Sequence, residues 1–186
     1  MAGNERFARS EGLASRNPRP DLAEGQRPFA VVVGCSDSRT PVELLFDQTF
    51  GELFVVRVAG AVVSPAVVGS VEFAVSMFGL RLIVLLGHTR CGAVAATANA
   101  LQPGYVHPSN HIRFLTDLMA PLIAPALHED MPLSTPSLRA AGRAAATSGA
   151  SALTRASSLL DELVGEGRLV IAPAEYELET GRVHWL

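Results

Sequence analysis

Cysteine is nearly missing from this chain of 186 residues, where Cys35 and Cys91 are the only two. That scarcity excludes a disulfide framework and leaves room for one bridge at most. Membrane-length apolar runs are missing too: Ala30–Val33 and Leu82–Leu86 are strand length, far short of the roughly 20 residues a span requires. The opening MAGNERFARSEGLASRNPRP has no apolar core of a secretory signal. Charge is sparse, at 18% of residues, and 15 basic against 18 acidic side chains leave a net −3. So low a fraction argues against disorder, and the balance argues against a nucleic-acid binder held by phosphate contacts. What is abundant is apolar, 48% of residues. A globule of this length buries roughly 70% of its unfolded surface without staples. The expectation is a soluble cytoplasmic protein with neither membrane nor nucleic acid as partner.

Residues 1–28 are polar, with Gly, Pro, Asn and Ser, and read as an N-terminal arm holding one short helix. Residues 29–186 read as one α/β domain. Phe29–Val33, Leu53–Val58, Leu82–Leu86 and Arg168–Ala172 are short apolar, β-branched runs, as expected of strands covered on both faces. Between them lie helical patterns. Ser64-Pro65 is a helix start, Gly79 a stop, and a second helix opens near Cys91 and runs toward Leu101. Leu153, Leu159, Leu160, Leu163 and Val164 recur at helical spacing before Gly165 and Gly167. The alternation predicts a mostly parallel central sheet flanked by helices. The tail from Tyr176 reads as an antiparallel hairpin turning at Glu179–Gly181. Six prolines within Gln102–Gly149 forbid one long helix there, and short helices are expected around Ile112–Leu118 and in the Ala-rich 140s.

Chemistry concentrates at two strand exits, Cys35-Ser-Asp37-Ser-Arg39 and His88-Thr-Arg-Cys91. Loops leaving the carboxyl ends of parallel strands meet in space, which is where sites form in such sheets. Two thiolates and an imidazole suit tetrahedral zinc. His88 and Cys91, three apart at a helix start, can face one point, and Cys35 and Asp37 share a side of an extended chain. Three protein ligands with an open fourth position make a catalytic site, four a structural one, and Asp37 decides between them. Arg39 can hold that carboxylate in a bidentate pair and keep the position free for water, which zinc makes ionise near pH ~7. Each residue alone has an ordinary reading: an inert buried thiol, a capping histidine, an N-cap aspartate before Thr40-Pro41, a solvated arginine. It is their joint placement that points to a metal. A phosphatase loop, a deaminase zinc motif and a redox Cys-x-x-Cys are all absent.

CSDSR, FDQTFGELFVVRVAGAVV, GSVEFAV and VLLGHTRCGAV resemble the β-class carbonic anhydrases. The resemblance runs almost end to end and is weakest over Gln102–Ser151. It implies reversible hydration of carbon dioxide to bicarbonate and a proton, by zinc-bound hydroxide oriented by an Asp37–Arg39 dyad. It implies one zinc per subunit on Cys35, His88 and Cys91, with Asp37 either a fourth ligand at rest or paired with Arg39. Gln26 falls where the family carries a substrate-contacting amide, and Phe54 and Ala59 where it lines an apolar CO2 pocket. The resemblance also implies homodimers with shared active sites, often assembled further. Arg57 and Tyr176 match two of three residues with which some members bind inhibitory bicarbonate, but Val32 stands where those carry tryptophan. His107, His111 and His128 are candidates for proton transfer. Two other functions fit the residues: hydrolysis of carbonyl sulfide or carbon disulfide, and a non-catalytic module with a structural zinc closed by Asp37.

Overall fold

The computed structural model describes residues 1–11, 22–127 and 133–186. Three apolar runs become strands of the sheet: β1 (Ala30–Cys35), β2 (Leu53–Val58) and β3 (Leu82–His88). With β4 (Val170–Glu177) and β5 (Arg182–Trp185) they form five strands in the order β2-β1-β3-β4-β5, parallel except for the last pair. All six residues of β1 are buried, because helices cover both faces. Val31, Val33, Ile83 and Leu85 pack against α3 (Pro65–Phe78), α6 (Thr135–Ala156) and α7 (Ser158–Gly165). Val32, Val84 and Leu86 face the other way, onto Val42 and Leu45 of α2 (Val42–Leu45), with Phe7 of α1 (Ala2–Ala8) at the margin. Alternate residues thus serve opposite cores, which is why the runs carry no polar alternation.

Helix signals hold where they were strongest. Ser64 is the N-cap of α3 and Gly79 its left-handed C-cap; Cys91 is the N-cap of α4 (Gly92–Ala100). The tail is a hairpin through Leu178–Gly181, but it adds a single strand, β5, because Tyr176 and Glu177 prolong β4. Strand β4 passes through Pro173, just beyond the apolar run Arg168–Ala172. The Pro173 carbonyl accepts the Leu186 N–H just beyond the last β4–β5 pair, so its missing N–H falls past the ladder.

Two expectations for the middle of the chain need correction. The segments Ile112–Leu118 and the 140s are parts of longer helices, α5 (Asn110–Ile123) and the 22-residue α6. Pro136 sits in the first turn of α6, where a missing N–H costs little, whereas Pro121 lies inside α5 and removes one i→i−4 bond, two residues before that helix ends at Ile123. Helix α6 lies close on β3 because its inner face is small: a Cβ added at Gly149 would come within 2.6 Å of Leu85 Cδ2.

Helix α6 also clamps the sheet electrostatically. Glu175 of β4 is buried, and Arg139 and Arg143 reach its Oε2 at 2.7 and 2.8 Å. Burial alone pushes this carboxyl up, but the two guanidiniums outweigh it and hold it below the usual range. The folded state therefore releases this proton more readily than the unfolded chain, whose glutamates titrate near about 4.3. Sign follows: the stabilisation is complete above that pH and is lost as pH falls through the lower folded value. Glu175→Gln is expected to cost about 1 kcal/mol near neutrality, modest because both arginines reach solvent. It should also flatten the fall in urea midpoint between about pH 5 and 3; a slope equal to wild type would count against the clamp.

Candidate metal centre

Strands β1 and β3 are neighbours, with Gly34 opposite Leu86, so the chains leaving their carboxyl ends emerge side by side. Cys35 closes β1, His88 closes β3, and Cys91 sits at the N-cap of α4. One ligand atom from each lies within 4.8 Å of the other two, and all three residues are buried. Both cysteines are free thiols. The His88 ring is oriented from behind: Nδ1 lies 2.9 Å from the Thr89 carbonyl and must donate to it, which leaves the Nε2 lone pair facing the sulfurs. Nε2 is buried and has no hydrogen-bond partner among the described residues. An orphaned imidazole nitrogen between two thiols is the donor set of a thiophilic, borderline-soft cation, so these residues fit zinc.

Of the two thiols, Cys35 is the thiolate. The Cys91 S–H and the backbone N–H groups of Asp37 (3.4 Å) and Gly60 (3.3 Å) favour its ionised form, outweigh burial and hold it down at about 4. Cys91, the donor to it, is pushed up by that hydrogen bond and by burial.

Asp37 stands outside this group. Arg39 grips it with Nε on Oδ1 at 2.9 Å and Nη2 on Oδ2 at 2.7 Å, and the Arg39 backbone N–H adds a third bond to Oδ1. The guanidinium holds the carboxyl well below the usual carboxylate range. Even so, Oδ2 is 4.0 Å from His88 Nε2, at the rim of the centre.

Two residues that the motif spacing did not point to hold this loop. Arg57, a lone charge in an apolar strand, donates to the carbonyls of Cys35 (2.8 Å) and Asp37 (2.6 Å). Gly60, at φ +67°, places its N–H on Cys35, and a Cβ there would meet Ala93 Cβ at 2.9 Å and the Met119 methyl. Gly60→Ala is expected to cost about 1–3 kcal/mol through backbone strain, read as a lower urea midpoint. A midpoint equal to wild type would mean that the loop relaxes freely.

Of the residues expected to meet substrate, only Ala59 is near the cysteines. It lines an apolar cleft of about 220 Å³ with Val62, Ala93, Ile112, Leu115 and Met119. Phe54 is opposite Val31, four strand positions from Cys35, and packs with Phe73 and Phe78. Gln26 lies beyond the amino end of β1, in a hollow with Phe50, Gly51 and Glu52, at the far end of the sheet. Val32 and Tyr176 share one buried core. His107 contacts Thr116 and Tyr105, His111 is exposed on α5, and His128 lies outside the described residues.

A model of the carbonic anhydrase family matches residues 30–183, a span that runs from the start of β1 into β5. The chain belongs to that family. Within the carbonic anhydrases, it is 37% identical over 183 residues to carbonic anhydrase 2 of Mycobacterium tuberculosis, a match covering 97% of this chain and 86% of that one. It is 48% identical over 124 residues to a carbonic anhydrase of Mycolicibacterium smegmatis, a match that spans 65% of this chain and 60% of the relative's length. Among solved structures, the β-carbonic anhydrase CafA of Aspergillus fumigatus superposes with TM-score 0.74 at 28% identity, covering 90% and 79% of the two chains. A tetrameric β-carbonic anhydrase of Sordaria macrospora gives 0.79 at 23% identity, over 90% and 84%, and so shares the fold. The β-class architecture expected from the motifs is the one observed.

Proposed function

We propose that this chain holds one zinc ion on Cys35, His88 and Cys91 and catalyses the reversible hydration of carbon dioxide to bicarbonate and a proton. The observation that carries the reading is the buried His88 Nε2, without a partner among the described residues, facing two thiols beside an arginine-clamped carboxylate. When bound, zinc supplies the Lewis acidity that lets water ionise near neutral pH.

The protein's own groups do the rest. Two thiolates and a neutral imidazole leave a fourth position open, because Arg39 keeps Asp37 away from it. Asp37, held ionised, accepts the hydrogen bond of the attacking water and aims its lone pair. Val62 and Met119 line both the hollow at Cys35, His88 and Cys91 and the apolar cleft with Ala59, and so give the linear, apolar substrate a dry approach to the centre. Oxygen attacks carbon, one C=O π pair moves onto oxygen, and bicarbonate and one proton leave. Gln26 and Phe54, remote from their own cysteines, serve the centre of a partner subunit in a homodimer with shared sites. No helix among the described residues is long and apolar enough to cross a membrane, and a cytoplasmic setting keeps both thiols reduced.

One measurement tests the proposal: metal content and stopped-flow CO2 hydration on the same sample from about pH 6 to 9. The expected result is one zinc per chain with a rate that rises with pH. Fully bound zinc with a rate equal to buffer throughout would overturn catalysis and favour a structural metal.

A further inference from the structure

Both groups that flank the open position are aimed by backbone carbonyls of the same short loop. His88 donates Nδ1–H to the Thr89 carbonyl at 2.9 Å, and Arg39 donates Nη2–H to the Arg90 carbonyl at 3.3 Å while gripping Asp37. The direction of those carbonyls therefore sets the imidazole and the guanidinium together. Arg90 holds a left-handed conformation, φ +55°, which a side chain with a Cβ adopts only when its surroundings impose it.

What imposes it is the β4–β5 hairpin, distant in sequence. Glu179, in the hairpin turn, accepts the Thr89 hydroxyl on Oε2 at 3.1 Å and pairs through Oε1 with Arg90 Nε at 2.7 Å. The Thr89 hydroxyl in turn accepts the Leu178 N–H at 3.0 Å, and the Thr89 N–H donates to the Tyr176 carbonyl at 2.9 Å. One carboxylate thus grips both residues whose carbonyls aim the two groups. We propose that Glu179 is a positioning residue of the metal centre, fixing His88 through Thr89 and the Asp37–Arg39 dyad through Arg90.

The exposure of the pair separates this role from a structural one. The Glu179 and Arg90 side chains are 48% and 63% exposed, and ion pairs so open to water add little to stability. The partners behind a metal-ligating histidine matter far more, with losses of roughly 10–100-fold in affinity or activity. Removing Glu179 should loosen the metal without loosening the fold.

The inference rests on the zinc centre proposed above, and its test begins with zinc-loaded protein mixed with a chromophoric chelator. Glu179→Ala is expected to release zinc about tenfold faster and to lose a similar factor in kcat/KM, the low end of that range. Its apo melting midpoint should match wild type. Glu179→Gln keeps an acceptor for the Thr89 hydroxyl and should recover most of both losses. A Glu179→Ala protein that releases zinc at the wild-type rate overturns the assignment. So does one whose faster release comes with a lowered apo midpoint, as a merely structural turn would give. If wild type binds zinc without hydrating CO2, the proposed function fails and the release rates still decide Glu179; if wild type takes up no zinc, both fail.

Discussion

Cys91→Ser is expected to fold normally, to carry little zinc and to hydrate CO2 no faster than buffer. A serine hydroxyl does not ionise near neutrality and is a poor substitute for a soft thiolate on zinc. The loss should exceed the roughly 10–100-fold that follows removal of an outer partner of a metal ligand. Normal folding is part of the expectation for a local reason. Cys91 occupies the N-cap of α4 in extended conformation, a position serine favours, so the helix keeps its start. Cys35 would keep its backbone donors from Asp37 and Gly60, and His88 Nε2 would stay unpartnered. Metal analysis, circular dichroism and stopped-flow hydration on one preparation check all three parts. A variant retaining one zinc per chain and a rate within about tenfold of wild type would mean a different ligand set.

Arg39→Ala and Asp37→Ala are expected to keep zinc and lose activity. Without Arg39 the carboxylate loses both side-chain bonds that hold it, and with Oδ2 only 4.0 Å from His88 Nε2 it is free to swing into the open position. Asp37→Ala removes the group that aims the water, so the position stays open but the attacking oxygen is unoriented. A positioned acid–base side chain contributes about 10²–10⁴-fold, and a loss of that order in kcat/KM is expected for each. The two variants should differ in zinc release: Arg39→Ala slower than Asp37→Ala, because only the former can close over the metal with a carboxylate. Near-wild-type rates in both would remove the dyad from the mechanism.

The parts of this architecture written in the sequence are those whose signal is local. Strands β1 and β3 are dense in Val, Leu and Ile because both faces are buried, β2 is the half-buried edge, and the ends of all three fall within two residues of the pattern. Strand β4 was legible only to Ala172, since the tolerance of Pro173 depends on where β5 stops. Helix α6 was underestimated for a related reason. Its alanines favour helix, but Gly142 and Gly149 read as interruptions, and the smallness of Gly149 is what lets the helix lie on β3. In the centre, Cys35, His88 and Cys91 could be found because each stands at a strand exit. Arg57, Thr89 and Glu179 could not be given their parts. Their partners are carbonyls or side chains far along the chain, and a carbonyl's direction leaves no trace in composition.

The adjacency of β1 and β3 also orders events in time. Strand β2 and helix α3 lie between them along the chain, so Cys35 leaves the ribosome well before its companions and must wait for the crossover to dock. Until then a lone thiol is all the nascent protein can offer. Metallation is accordingly a late step of maturation that reports a finished sheet, and half-built chains stay unloaded.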